Sequence, residues 1–106
     1  MRLPEPLAAF FAAANARDAG KTAGFFTADA VVKDEAREHR GTEAVRGWIE
    51  DTNAKYRPSF DPKQVTGSAD RPQVETVVSG DFAGSPARLR YSFHLDHGKI
   101  ARLEIA

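Results

Sequence analysis

The sequence contains no cysteine, and this absence excludes disulfides, thiolate metal sites and cysteine nucleophiles. It also has no apolar run long enough to cross a bilayer, and we do not expect its first five residues, which hold one Arg, to open a signal peptide. The 15 basic and 15 acidic residues cancel, so the basic footprint of a nucleic-acid-binding protein is missing. We therefore expect a cytoplasmic protein with neither a membrane nor a nucleic-acid partner.

Sequence motifs for phosphate, metal and nucleophile chemistry are lacking as well. Gly80 to Gly84 opens a connection between strands, whereas a phosphate-binding loop opens a helix. No Gly-x-Ser-x-Gly motif is present. The three histidines, His39, His94 and His97, are dispersed and show no metal-ligand spacing. We predict neither a metal site nor a cofactor.

The length of 106 residues fits one domain spanning 1–106. Three helices are predicted in it. The first carries an apolar stripe and ends at Asn15, and the second runs from an Asp18 cap to Phe26. The third follows Thr42 as its N-cap and must end before Pro58.

The remaining segments have the period of two that is typical of strands. A short strand is predicted at Ala30–Asp34 and another ends at Gly41; the later strands are predicted at Phe60–Ser68, Gln73–Ser79, Ala87–Leu95 and Ile100–Ile105. The Gly80–Pro86 segment is a loop, and the sequence leaves open whether it acts as a lid or as a plain connection. Helices first and consecutive antiparallel strands last indicate an α+β fold.

Three segments carry a family resemblance: Asn15–Asp18, Phe26–Val31 and His39–Val45. They resemble the nuclear transport factor 2-like superfamily, and within it the SnoaL-like branch that includes polyketide cyclases and ketosteroid isomerase relatives. The resemblance covers essentially the whole chain. It implies a cone-shaped, curved antiparallel sheet whose concave side is closed by about three helices around a small-molecule pocket.

The resemblance also implies a homodimer that forms through the convex face of the sheet. The strand Ala87–Leu95 alternates in a way that agrees with a two-faced sheet. Its inward residues would be Leu89, Tyr91, Phe93 and Leu95, and its convex residues would be Arg88, Arg90, Ser92 and His94.

Asp34 is the first candidate catalytic residue. It lies near the position where ketosteroid isomerase relatives place a general-base carboxylate, and such a base works when an apolar pocket raises its pKa. The alternative is a solvated acid at a strand end, like its charged neighbours Lys33 and Glu35.

His39 and Tyr91 are the other two candidates. A neutral His39 imidazole could donate to a ligand oxygen or carry a proton; alternatively, His39 holds the turn before Gly41. By rough alignment Tyr91 occupies the place of the protonated aspartic acid in the isomerases' oxyanion hole, where a phenol could donate to an enolate. Alternatively, Tyr91 is a core aromatic residue with a backbone partner for its hydroxyl.

The same alignment places Phe10 where the isomerases have a hydrogen-bonding tyrosine, so their oxyanion pair is not reproduced and we do not assign their activity. The predicted pocket lining is apolar and aromatic, with simple core packing as the alternative for each residue. It consists of Phe10, Phe26, Trp48, Tyr56, Phe60, Leu89 and Phe93.

Two functions remain open. The first is a cofactor-free enzyme that moves a proton on a small apolar substrate, as an isomerase, cyclase, dehydratase or hydrolase does; Asp34 and His39 would then converge on one dry cavity. The second is a non-catalytic binding or dimeric assembly domain. Its cavity would be filled by Trp48, Phe10 and Tyr91, with Asp34 turned to water.

Overall fold

The fold is α+β, with three helices and six strands in residues 2–106, the part of the chain that the computed structural model describes. The helices are α1 (Leu7–Asn15), α2 (Ala19–Ala23) and α3 (Thr42–Tyr56). The strands are β1 (Phe26–Asp34), β2 (Arg37–Arg40), β3 (Ser59–Gly67), β4 (Pro72–Ser79), β5 (Ala87–Asp96) and β6 (Lys99–Ile105).

Two helix ends differ from the sequence prediction. Asp18 does cap α2, since its carboxylate accepts from the Lys21 backbone N–H at 3.0 Å, but the helix stops at Ala23 and Phe26 already begins β1. A glycine at position 24 favours this early end, because glycine is a poor helix former. The N-cap of α3 is Gly41, and Thr42 is the first helical residue.

The sheet has the order β2-β1-β6-β5-β4-β3. Every neighbouring pair is antiparallel except β1 and β6, which run parallel. This one parallel pairing was not predicted, because local periodicity carries no information about which distant strands meet. Register shifts interrupt the pairings of β1 with β6, β3 with β4 and β5 with β6, and such bulges bend and twist a sheet. The result is the curved sheet that the family resemblance implies.

The two faces of the sheet differ sharply along β5. Tyr91 and Phe93 are buried on the concave face, whereas Arg88 and Arg90 are exposed on the convex face. The concave face carries the core, whose most deeply buried side chains are Leu7, Val32, Val45, Val74, Thr76, Ile100 and Leu103. Within residues 2–106, no helix is both long and apolar enough to span a bilayer.

The end of α1 is fastened to β3 by the Asn15 amide. This side chain accepts a hydrogen bond from the Phe60 backbone N–H at 2.7 Å and donates to the Phe60 carbonyl at 2.9 Å. Arg17 donates to the carbonyls of Arg57 (2.9 Å) and Pro58 (3.2 Å), just beyond α3. These contacts hold α1, α3 and β3 together around the concave side.

Candidate functional site

A cavity of about 650 Å³ lies on the concave side of the sheet, within the range typical of small-molecule sites. Its aromatic residues are Phe10, Trp48, Tyr56, Phe60, Phe82 and Tyr91. Its aliphatic residues are Ala14, Ile49, Pro58, Val78, Ala83, Ala87, Leu89 and Ile105. The polar residues on the wall are Thr22, Asp34, Glu35, Thr52 and Asn53. A largely apolar wall with a few polar groups is the usual composition of a ligand pocket.

Asp34 is the last residue of β1, and its half-buried side chain reaches this cavity. The Trp48 indole Nε1–H donates to Asp34 Oδ2 at 3.1 Å. Burial raises the pKa of Asp34 above its ordinary value, and this effect outweighs the hydrogen bond from Trp48, which lowers it. The carboxyl group is therefore partly desolvated but still held in place by hydrogen bonds from the Trp48 indole and the Glu35 backbone.

Strand register brings Asp34 and Tyr91 to the same row of the concave face. Lys33 pairs with Glu104, so one residue further along the parallel strands Asp34 lies beside Ile105. Ile105 pairs with Tyr91 on its other side. Asp34 and Tyr91 thus flank Ile105, with their Cα atoms about 10 Å apart across two strand spacings.

Tyr91 is 5% exposed and packs against the rings of Phe11 and Phe60. Among residues 2–106, the Tyr91 hydroxyl makes no side-chain hydrogen bond. No fully buried polar side-chain atom in these residues lacks a partner, so the hydroxyl oxygen is not fully buried. It therefore opens onto the cavity that the residue lines. Burial, and next the negative charge of Asp34, raises the pKa of Tyr91, so the hydroxyl stays protonated and can donate.

His39 takes a different position from the one predicted. It lies in β2 opposite Val32 of β1 and stacks on the Trp48 indole, with ring centroids 6.0 Å apart and an interplanar angle of 29°. It lines an adjoining depression together with Asp34, Glu35 and Trp48, and it does not reach the main cavity. Asp34 and Tyr91 thus meet in one cavity, while His39 contacts its neighbour Trp48 from outside.

Five of the seven predicted lining residues reach the cavity: Phe10, Trp48, Tyr56, Phe60 and Leu89. Phe26 and Phe93 do not; both are buried in the core and pack edge-on against Phe10, at 5.8 and 5.7 Å between ring centroids. The sequence spacing of Phe26 and Phe93 indicates that they face inward. It does not distinguish a side chain that fills the core from one that lines the cavity.

Four polar lining residues were not foreseen from the sequence: Thr22, Glu35, Thr52 and Asn53. Thr52 lies one helical turn after Trp48, so helical spacing from Trp48 would have found it. Glu35 lies in the turn between β1 and β2, where Glu35 and Ala36 both have positive φ, +52° and +61°. The Tyr56 hydroxyl donates to Glu35 Oε1 at 3.3 Å and keeps this acid at the cavity.

The Gly80–Pro86 loop contributes Phe82 and Ala83 to the wall. The Asp81 N–H donates to the Tyr56 carbonyl at 2.6 Å, and the Phe82 ring packs edge-on against Tyr56 at 5.7 Å. A Cβ at Gly80 would lie 2.5 Å from the Tyr56 carbonyl oxygen, so glycine permits this close approach. Phe82 is the one aromatic residue of the loop, and this was the available sequence signal.

A model of the SnoaL-like domain matches residues 7–103. The chain belongs to the SnoaL-like family. A search of the curated proteins found no match. Family membership and the cavity together support a small-molecule-binding domain.

Solved structures of the same fold agree with this assignment. A protein of Sinorhizobium meliloti described as a candidate polyketide cyclase is 36% identical, with a TM-score of 0.94 over 98% of this chain and 95% of that one. A Catenulispora acidiphila protein of ketosteroid isomerase-like fold, solved with trimethylamine, is 20% identical (TM-score 0.86; 99% and 86% covered). A computationally designed 17-OHP binder is 17% identical (TM-score 0.81; 94% and 86% covered). At these two lower identities, the likeness concerns the fold alone.

Proposed function

We propose that this domain is a cofactor-free enzyme that transfers a proton on a small apolar substrate, with Asp34 as the general base and Tyr91 as the hydrogen-bond donor. One observation carries the proposal: the desolvated Asp34 carboxyl and the unoccupied Tyr91 hydroxyl open onto the same apolar cavity. A base whose pKa is shifted toward the working pH combines a useful ionised fraction with basic strength.

The proposed step is a proton abstraction next to a carbonyl group. Ionised Asp34 takes the proton from carbon, the C–H electron pair forms the carbon–carbon double bond of an enolate, and the carbonyl π pair moves to oxygen. Tyr91 donates to that oxygen and remains protonated, because its own pKa is raised. Asp34 then returns the proton to another atom of the substrate. Isomerisation and cyclisation both begin in this way.

Trp48 and His39 would modulate the base: Trp48 contacts Asp34 directly, and His39 stacks on Trp48. The indole N–H donates to Oδ2 of Asp34 and fixes the orientation of the carboxylate at the cavity wall. A positive charge on His39 favours the ionised form of Asp34 and lowers its pKa. We therefore propose His39 as a residue that tunes Asp34 through space, without touching the substrate.

A non-catalytic ligand-binding domain is the second candidate, and Phe10 is the observation that favours it. Phe10 lines the cavity and offers no hydrogen bond, so Tyr91 would have to stabilise the enolate oxygen without a partner donor from α1. The same fold holds ligands in other proteins, one solved with trimethylamine and one designed to bind 17-OHP.

Exchange of carbon-bound protons tests the enzyme proposal without knowledge of the natural substrate. The probe is 1-tetralone in D₂O, with deuterium incorporation next to the carbonyl followed by NMR. Asp34→Asn should slow protein-catalysed exchange by about 100-fold or more, and Tyr91→Phe by about tenfold. Glu38→Gln on exposed β2 is the matched control and should leave the rate unchanged. Equal exchange by the native protein and Asp34→Asn would favour the binding domain.

We also propose that the convex face mediates a homodimer. Arg88, Arg90, Ser92 and His94 lie on it, and Glu75 accepts from Arg90 at 2.9 Å, with Arg88 3.9 Å away. Opposite charges side by side on one face suit a self-complementary contact. A monomer at micromolar concentration in sedimentation would contradict this. A cytoplasmic location stays a prediction from the sequence.

A further inference from the structure

The charged groups on the cavity wall all have the same sign. Asp34 and Glu35 line it, and within residues 2–106 no lysine, arginine or histidine does so. The adjoining depression is mixed: Asp51 joins the two wall acids there, and Arg37, His39 and Lys55 are its basic side chains. A ligand inside the cavity therefore meets a negative potential.

Aromatic rings adjoin both acids. Tyr56 donates to Glu35 at 3.3 Å, and Trp48 donates to Asp34 at 3.1 Å. Phe82 packs against Tyr56, with 5.7 Å between the ring centroids. Rings of this kind attract a cation to their faces, and carboxylates beside them add to that attraction. Lys55 Nζ already lies 5.1 Å from the centroid of the Tyr56 ring, so a ligand cation must use the other face of this ring or displace the lysine. We name Glu35, Tyr56 and Phe82 the mouth cluster.

The interior beyond the mouth cluster points to a ligand independently. The Tyr91 hydroxyl, on a side chain that is 5% exposed, faces the cavity without a protein partner among the described residues. Buried polar groups are normally hydrogen-bonded, so this donor calls for an acceptor from a ligand or from water. Around it the wall is apolar, with Phe10, Phe60 and Leu89.

We propose that the cavity selects ligands that join an apolar body to a cationic ammonium group, and that it rejects carboxylates. The mouth cluster binds the ammonium group, the apolar wall holds the body, and Tyr91 is left to donate to an oxygen. This assignment rests on the proposed function for the identity of the site, and it names the substrate class. Because Glu35 takes the ammonium group, Asp34 remains free for the proton.

Three compounds with one skeleton test this selection: 1-adamantylammonium, 1-adamantanol and 1-adamantanecarboxylate. Trp48 is the single tryptophan of the chain and lines the cavity, so its fluorescence reports their binding. The ammonium compound should bind about tenfold tighter than the alcohol, since a cation gains from both the rings and the carboxylates. The carboxylate should bind more weakly than the alcohol.

Glu35→Gln separates this inference from the proposed function. It should bring the affinity of the ammonium compound close to that of the alcohol, while leaving alcohol binding in place. Because the negative charge of Glu35 also raises the pKa of Asp34, exchange of 1-tetralone by this variant should shift to lower pH. Glu38→Gln, which removes an exposed acid from β2, should preserve the tenfold preference. A preference that survives Glu35→Gln overturns the inference, as does equal binding of all three compounds or the absence of binding. Loss of exchange alone in Asp34→Asn would uphold the proposed function whatever these affinities are.

Discussion

Two carboxylates on neighbouring strands, Asp34 at the end of β1 and Glu104 in β6, face opposite sides of the sheet. Lys33 pairs with Glu104 across β1 and β6, and Asp34 is the next residue along the chain. Asp34 points to the concave side, where burial raises its pKa. Glu104 points to the convex side, where hydrogen bonds from Arg102, the shorter at 2.8 Å, lower its pKa. Asp34 and Glu104 lie on neighbouring strands one residue out of step, and their pKa values shift in opposite directions.

The difference shows that the face of the sheet, and not the neighbourhood in the chain, decides what an acid can do. On the convex face Glu104 is exposed to water and paired with Arg102 at 2.8 Å, so it stays ionised. On the concave face water is scarce and the donor is an uncharged indole, which leaves the carboxylate more basic. A base for proton transfer can be built on one of these faces and not on the other.

The largest expected effect contrasts the same two faces by truncation. Leu103 is fully buried on the concave side, so Leu103→Ala should lower the free energy of unfolding by about 2–5 kcal/mol. Glu104→Ala, at the adjacent exposed position, should change it by less than about 0.5 kcal/mol. Urea unfolding of the two variants measures both values. Similar losses would mean that the two faces are not distinct.

The next effect is on the pH dependence of stability. Because the fold raises the pKa of Asp34, its contribution is fully present below the ordinary value of 3.8 and is lost as the pH rises through the folded pKa. Asp34→Asn should therefore be more stable than the native protein at pH 7, and the difference should vanish below pH 3.8. Thermal unfolding across pH checks this.

Glu104→Gln serves as the opposite case in those unfolding curves. Its lowered pKa means that the ionised form is favoured, so the substitution should cost a little stability at pH 7 and nothing at low pH. If Asp34→Asn and Glu104→Gln changed the stability at pH 7 in the same direction, the contrast between the two acids would be wrong.

Removal of each acid's hydrogen-bond donor gives a smaller effect. Trp48→Phe takes away the indole N–H and should raise the pKa of Asp34 further, and the exchange rate of 1-tetralone should then need a higher pH. Arg102→Gln should raise the pKa of Glu104 back toward its ordinary value without altering exchange. NMR titration of the two carboxyl groups follows both changes. An unchanged pKa of Asp34 in Trp48→Phe would mean that the indole N–H does not stabilise this carboxylate.

Salt should produce the smallest difference. Raising the ionic strength to 1 M screens exposed charges, so the pKa of Glu104 should rise slightly as its attraction to Arg102 weakens. Desolvation is not screened, and the pKa of Asp34 should stay nearly constant. Titrations of the native protein at low and high salt measure the contrast; equal shifts would indicate that Asp34 is solvated.

Much of the fold could be predicted because its signals are local. The alternation around Tyr91, the Asp18 cap and the stop before Pro58 each depend on a few neighbouring residues. The parallel pairing of β1 with β6 could not be predicted, since it joins residues about 70 positions apart and leaves no periodic trace.

The candidate site was predictable in part for the same reason. Strand period indicates that Tyr91 faces inward, and the family resemblance singles out Asp34. The position of His39 behind Trp48 depends on how α3 is rotated against β1 and β2, and no local pattern encodes that rotation. Phe82 reaches the cavity through the path of an irregular loop, which periodicity cannot describe.

The central position of β6 has a consequence for how the protein is made. This strand lies between β1 and β5, so β1 and β2 have no sheet to join until Lys99–Ile105 has been synthesised. Asp34 and Tyr91 meet across that same strand, so the cavity must form after Lys99–Ile105 has left the ribosome. Closure of so distant a pairing is slow, which leaves the apolar side of β1 exposed in the nascent chain and open to chaperone binding.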